Sequence, residues 1–112
     1  MQRRPPSIPA LVAIALSLTS AAAPAQWRDD TEGAAIYRVY CSFCHDDGTV
    51  GAPIVDDPEA WRNSVGKGAQ ALAQSAWDGH NLMPARAMRR ELNLERVRTA
   101  VEYMLNRRGK AK

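Results

Sequence analysis

The sequence predicts an all-α fold, about four short helices joined by long loops. Two observations carry that reading. No stretch sustains the apolar–polar alternation of a strand, whereas Leu94, Val97, Val101, Met104 and Leu105 recur at the i, i+3, i+4 spacing of a helix with one apolar face. A third observation says what the helices enclose. Cys41-Ser42-Phe43-Cys44-His45, the pattern C-x-x-C-H, sets two thiols and an imidazole within little more than one helical turn.

That spacing is the one used for covalent c-type haem attachment. Residues three apart share a helical face, so both thiols reach the same edge of a porphyrin and each adds across one vinyl group. His45 follows directly, placed to give the iron its proximal ligand. Other uses of these residues fit less well. A thioredoxin-like C-x-x-C needs a βαβ context, which is missing. A structural zinc site needs four ligands, and the chain holds two Cys and two His, with His80 far from His45. A Cys41–Cys44 disulfide closes a loop too short to stabilise much.

The N-terminus has the order of a secretory signal peptide: Arg3 and Arg4, an apolar run from Ile8 to Leu18, then Ser20 to Ala25 with the A-x-A site Ala23-Pro24-Ala25. Residues 1–25 are expected to be removed before Gln26, leaving 26–112 as one haem domain. The rival reading is a retained anchor, but Pro9 shortens the apolar stretch below the roughly 20 residues of a spanning helix. Arg3-Arg4 also resembles a twin-arginine signal, except that Pro5 and Pro6 stand where apolar residues belong. Export of an unfolded chain suits a protein that receives its haem after translocation.

Cleavage takes 25 of 112 residues, two of the 15 basic ones and none of the 12 acidic ones, so the net charge falls from +3 to +1. The remaining domain has a thin core, near the size at which a cofactor or staple becomes necessary. Its charge balance gives no sign of nucleic-acid binding. Acidic residues (Asp29, Asp30, Glu32, Asp46, Asp47, Asp56, Asp57, Glu59) crowd the first half, and arginines from Arg86 to Arg108 crowd the second. Such asymmetry orients a docking partner or simply marks solvated helix faces.

The elements follow in order. The first helix is expected to start at Asp29 or Asp30, whose carboxylate caps free N–H groups, and to run into the haem motif. Asp46-Asp47-Gly48 signals a turn and opens a loop to Asp56. Asp57-Pro58 reads as a cap followed by proline at the first helical position, giving a short helix through Trp61 that Gly66 and Gly68 end. A third helix spans about Ala69 to Trp77 and stops at Asp78-Gly79. The last is capped by Asn93, carries Glu95 in its first turn and ends on Arg107 and Arg108 before Gly109, in keeping with the helix dipole.

A haem iron that neither binds gases nor reacts with substrates needs a sixth ligand. Met83-Pro84 lies in the loop before the last helix, where Pro84 holds Met83 extended and lets backbone present the sulfur. Met/His ligation favours ferrous iron. His80, giving bis-His ligation, is the main rival; Met88 sits in an arginine-rich segment and Met104 belongs to the apolar stripe. A ligating His donates its other ring nitrogen to a fixed acceptor, and the Pro53 carbonyl in Gly51-Ala52-Pro53 is suited to that task.

The motif C-S-F-C-H, then Gly51-Ala52-Pro53, Ala60-Trp61, Ala71-Leu72, Asp78-Gly79, Met83-Pro84-Ala85-Arg86 and Ala100-Val101-Glu102-Tyr103-Met104 follow in the order of class I c-type cytochromes. From Thr31 to Leu105 the chain resembles the short bacterial cytochrome c-five kind. The resemblance implies a fold in which the first and last helices cross at Gly33 and Tyr37 against Ala100 and Tyr103, with His45 and Met83 as axial ligands. One difference stands out. Where that family often has a glycine-rich loop, sometimes with a Cys pair, this chain has Ala87 to Leu92 with neither.

The expected function is that of a periplasmic electron carrier, not an enzyme. One haem c is tethered by Cys41 and Cys44, ligated by His45 and Met83, and oriented through Pro53; Trp61 and Arg62 are candidates for the propionate environment. Redox proteins are the expected donors and acceptors of a monomer that leaves the membrane on cleavage. The alternatives are a dedicated haem subunit of one periplasmic redox enzyme and a gas sensor or peroxidase, which the Met83 ligand disfavours.

Overall fold

The computed structural model describes residues 29–108 and scattered positions between 1 and 17. The expected cleavage site at Ala23-Pro24-Ala25, the start at Gln26 and the terminal Gly109 lie outside the described residues. Helix α1 (Glu32–Ile36) continues through a π-helical turn, Tyr37–Cys41, into α2 (Ser42–His45). Helices α3 (Gly68–Asp78) and α4 (Leu94–Arg107) follow, with 3₁₀ turns at Thr49–Gly51, Pro58–Trp61, Val65–Lys67 and Ala85–Met88. Among the described residues there is no strand, only a pair of backbone hydrogen bonds exchanged by His80 and Met83 at 3.0 and 2.9 Å.

Helix α1 starts slightly later than the sequence reading placed it. Thr31, not Asp29 or Asp30, is the cap, its Oγ1 accepting from the Ala34 N–H at 3.1 Å. Asp29 is used otherwise: its carboxylate accepts from the Tyr103 hydroxyl at 2.8 Å and its carbonyl from Arg38 at 2.9 Å. The π turn, closed by the Ser42 N–H on the Tyr37 carbonyl, rephases the helix just before the C-x-x-C-H motif.

Elsewhere local chemistry works as expected. Asn93 Oδ1 accepts from the Arg96 N–H at 2.8 Å at the head of α4, and Asp57 Oδ1 from the Glu59 N–H at 3.0 Å ahead of Pro58. That second turn is a short 3₁₀ helix rather than an α-helix. Helix α3 opens one residue early, at Gly68, and stops at Gly79, whose φ of +92 suits glycine.

Segments as short as α1 and α2 do not hold on propensity alone; packing fixes them. Two apolar clusters do so. Ile36, Ala73, Ala76, Leu92, Val97, Ala100 and Val101 fill the space between α1, α3 and α4. Ala34, Tyr37, Val55, Trp61, Tyr103 and Met104 form the second, on the side of the 46–61 loop. The buried face of α4 is wider than the sequence stripe because Ala100 and Tyr103 join it. At the α1–α4 crossing Gly33 lets the backbones touch, and the Tyr37 and Tyr103 rings lie 5.4 Å apart beside it.

Candidate haem site

Cys41 closes the π turn and Cys44 stands in α2 three residues on. The two are not joined in a disulfide, and both are part-buried. Cys41 packs against both apolar clusters, and burial, helped by the neighbouring Cys44, pushes its thiol up to about 11. The expected single helical turn is therefore a π-to-α junction, and it still brings the two thiols close enough to feel each other.

His45 ends α2 and is buried, 8 % exposed. Its Nδ1 donates to the Pro53 carbonyl at 2.8 Å, the acceptor the sequence suggested. Two further bonds fix that loop: the Val55 N–H donates to the His45 carbonyl at 2.8 Å, and Trp61 Nε1 donates to the Ile54 carbonyl at 2.9 Å. The Trp61 ring lies 6.1 Å from the imidazole, inclined to it by 29°. Burial holds the His45 pKa below its usual value, opposed by the Pro53 bond and the Asp46 charge. The imidazole is thus neutral near pH 7 with its proton on Nδ1, and its Nε2 lone pair is left for a metal.

The four candidates for a second ligand differ sharply in setting. Met83 is half-buried against the same cluster that Cys41, Tyr40 and Trp77 pack on. Three residues back, His80 is exposed, with a ring nitrogen 3.1 Å from the Asn81 amide nitrogen. Met88 is 79 % exposed, and Met104 is buried in the second cluster. Paired backbone bonds with His80 close the turn that carries Met83, with Asn81 supplying the left-handed φ of +52 that the turn requires.

The donor set fits a covalently held haem: two neighbouring thiols, a neutral imidazole with one nitrogen engaged, a soft thioether and apolar walls. Among the described residues no group of three or more His, Cys, Asp and Glu suits a bare metal ion.

The family model described as "Cytochrome C oxidase, cbb3-type, subunit III" matches residues 28–104, most of the chain. The chain belongs to the class I c-type cytochromes. Similar relatives are a cytochrome c-551 of Halorhodospira halochloris, 42% identical over 59% of this chain and 80% of its own length, and a cytochrome c-555 of Chlorobaculum thiosulfatiphilum, 33% identical over 69% and 94%. In a solved structure, the crystal structure of an electron transfer complex of nitrite reductase with cytochrome c, one chain is 33% identical and superposes with a TM-score of 0.65, covering 70% of this chain and 95% of that one. The cytochrome therefore has the class I fold, carries haem c bound covalently through its two cysteines, and is a mono-haem electron carrier.

Trp61 is buried and gives its N–H to the Ile54 carbonyl, and the exposed Arg62 pairs with Glu59, so local partners engage both propionate candidates. Sequence reasoning missed a polar network beside the site. Arg107 grips Asp56 with two bonds of 2.9 and 3.0 Å and donates to the Tyr103 hydroxyl at 3.2 Å, while the Tyr37 hydroxyl donates to Asp46, next to His45. It also missed the setting of Arg86, whose guanidinium lies 3.9 Å over the Trp77 ring with a buried Nε that has no acceptor.

Proposed function

We propose that the cytochrome is a periplasmic, His/Met-ligated carrier that shuttles single electrons between redox proteins and makes no bond in a substrate. Haem c, when bound, supplies reversible one-electron chemistry at its iron. Cys41 and Cys44 tether it, His45 Nε2 and the Met83 sulfur hold the iron, and Pro53 keeps the imidazole's proton on Nδ1 and its ring in one orientation. The observation that carries the reading is the contrast at the second ligand: Met83 packs on the cluster that also holds Cys41, whereas His80 and Met88 face solvent.

Residues 1–25 serve as the export signal, and the mature monomer starts at Gln26. Arg3-Arg4, the apolar run and the A-x-A site support this, and no helix of the described residues is long and apolar enough to cross a membrane. A potentiometric titration of the periplasmic fraction tests the whole reading. One reversible one-electron wave is expected, from a protein without peroxidase turnover. A second reading, a haem subunit dedicated to one oxidase or dehydrogenase, takes its support from the oxidase-subunit family model. Stable co-purification with an enzyme would put it first.

A further inference from the structure

The loop that carries Met83 folds back on the C-terminal end of α3 and is fastened there by backbone and by side chains. Gly79, with its φ of +92, ends the helix. A Cβ placed on it would stand 3.1 Å from the Ala85 nitrogen and 3.4 Å from the Met83 carbonyl oxygen, so the loop backbone lies directly on the helix end. His80 and Met83 exchange backbone bonds of 3.0 and 2.9 Å. The side-chain fastening is the Arg86 guanidinium, 3.9 Å over the Trp77 ring. Trp77 stands in the last turn of α3 and packs on the same apolar cluster as Met83.

Beyond Met83 the backbone is under strain. Arg86, Ala87 and Met88 have φ values of 54, 51 and 62, a left-handed run without a glycine. Such conformations persist where the surroundings over-determine them. The Ala87 N–H donates to the Pro84 carbonyl at 3.2 Å and the Arg89 N–H to the Arg86 carbonyl at 2.9 Å. Both bonds lie inside the segment, so neither ties it to the helix. Arg89 stands 5.8 Å over the Tyr40 ring, at the limit of a cation–π contact. Arg86 is far closer to its ring, and its Nε is buried with no acceptor. A cationic group partly shut from water over an indole is the setting in which that contact is strongest.

We infer that Arg86 is a positioning residue for the sixth ligand: stacked on Trp77, it latches the Met83 loop to α3 and keeps the sulfur on the iron in the oxidised protein. The inference rests on Met83 ligation and says what holds that ligand in place. A thioether is a soft donor that favours ferrous iron, so the ferric protein depends more on the loop being held. Opening of the loop breaks the iron–sulfur bond and admits an outside donor, with no electron moved.

The test uses ferric holoprotein, with imidazole as the entering ligand and loss of the weak far-red sulfur-to-iron band as the signal. An entering ligand binds in proportion to the open fraction. Arg86→Gln should therefore bind imidazole about tenfold more tightly and lose the band on heating before the helix signal in circular dichroism falls. Arg90→Gln removes the same charge from an exposed position of the same segment and should match wild type. In a Trp77→Leu background, Arg86→Gln should add less than about twofold, since the ring it acts through is gone. Should that background fail to fold, Trp77→Phe serves instead, and the Arg86 effect should shrink in it. Unchanged imidazole affinity in Arg86→Gln, or an equal gain in Arg90→Gln, overturns the latch. So does an Arg86 effect of full size whatever stands at position 77, which would make a haem propionate or bare charge its partner. A band lost only together with the helix signal overturns it too, as general instability. Wild-type protein without the band overturns Met83 ligation itself, and the latch falls with it.

Discussion

A Cβ placed on Gly33 would lie 2.9 Å from the Cβ of Tyr103 and 2.6 Å from the Thr99 carbonyl oxygen. The second contact is to helix backbone, which cannot swing aside, so α1 and α4 meet only because position 33 has no side chain. Gly33→Ala should push the helices apart and cost about 1–3 kcal/mol, the range for overpacking a close contact. Thermal unfolding of the holoprotein checks this. A midpoint within a degree of wild type would mean the crossing has slack that the distances deny.

The two tyrosines at that crossing give the stability a pH dependence. Burial and then the Asp46 hydrogen bond raise the Tyr37 pKa, and burial and then Asp29 raise that of Tyr103. For a group whose folded pKa is raised, the contribution is complete below the unfolded value, here about 10, and is lost as pH climbs toward the folded one. Stability should therefore fall progressively above pH 10 for these groups. Tyr37→Phe, which removes the more strongly shifted one, should make that fall shallower. Melting followed by circular dichroism from pH 8 to 11.5 decides; an equal slope in the variant would clear Tyr37 of the effect.

Features governed by neighbours in sequence were legible, and those governed by distant neighbours were not. The stripe of α4, its Asn93 cap, the Asp57-Pro58 turn and the Pro53 acceptor all follow from spacing and local residue chemistry. Arg107 read as a favourable helix terminus; its grip on Asp56, 51 residues away, has no sequence signature. The π turn at Tyr37–Cys41 arises where the helix must fit both clusters, so no local propensity announces it. Left-handed Arg86, Ala87 and Met88 carry none of the Gly or Asn that would mark them.

The Arg107–Asp56 pair ties the end of α4 to the loop that carries Pro53 and Val55. Its side chains are 20% and 25% exposed, and its geometry is bidentate. Losing bonds to a charged group in such a setting costs about 1.5–3 kcal/mol. Arg107→Ala should destabilise by roughly that amount, and a double-mutant cycle with Asp56→Ala should recover a large part of it as coupling. Additive losses would show that each side chain acts through other contacts, the Arg107 bond to Tyr103 being the first to examine.

Both thiols are expected to be consumed in thioethers. Haem should then stay with the protein through acid–organic extraction, and the mature mass should equal the polypeptide from Gln26 plus one haem. Haem passing into the organic phase would refute the tether, while a mass that includes residues before Gln26 would refute only the cleavage site. The apoprotein, left with short helices and two small clusters, should lack a cooperative thermal transition.

The sixth ligand separates a carrier from a sensor or peroxidase. With Met83 on the iron, the oxidised protein should be low-spin and show the weak far-red sulfur-to-iron charge-transfer band, and the reduced protein should bind carbon monoxide poorly. Met83→Ala should abolish the band, open the site to small ligands and lower the potential, since a soft thioether favours ferrous iron. His80→Ala should keep the band, because that ring faces solvent beside Asn81, and so should Met88→Ala, whose side chain is 79 % exposed. Met104→Leu tests the remaining sulfur. Its place in the second cluster makes it a packing residue, so stability should drop slightly while the band stays. Absence of the band in wild type at neutral pH, or its loss only in the His80 variant, would overturn the Met83 assignment and move the bis-His or open-site readings ahead of it.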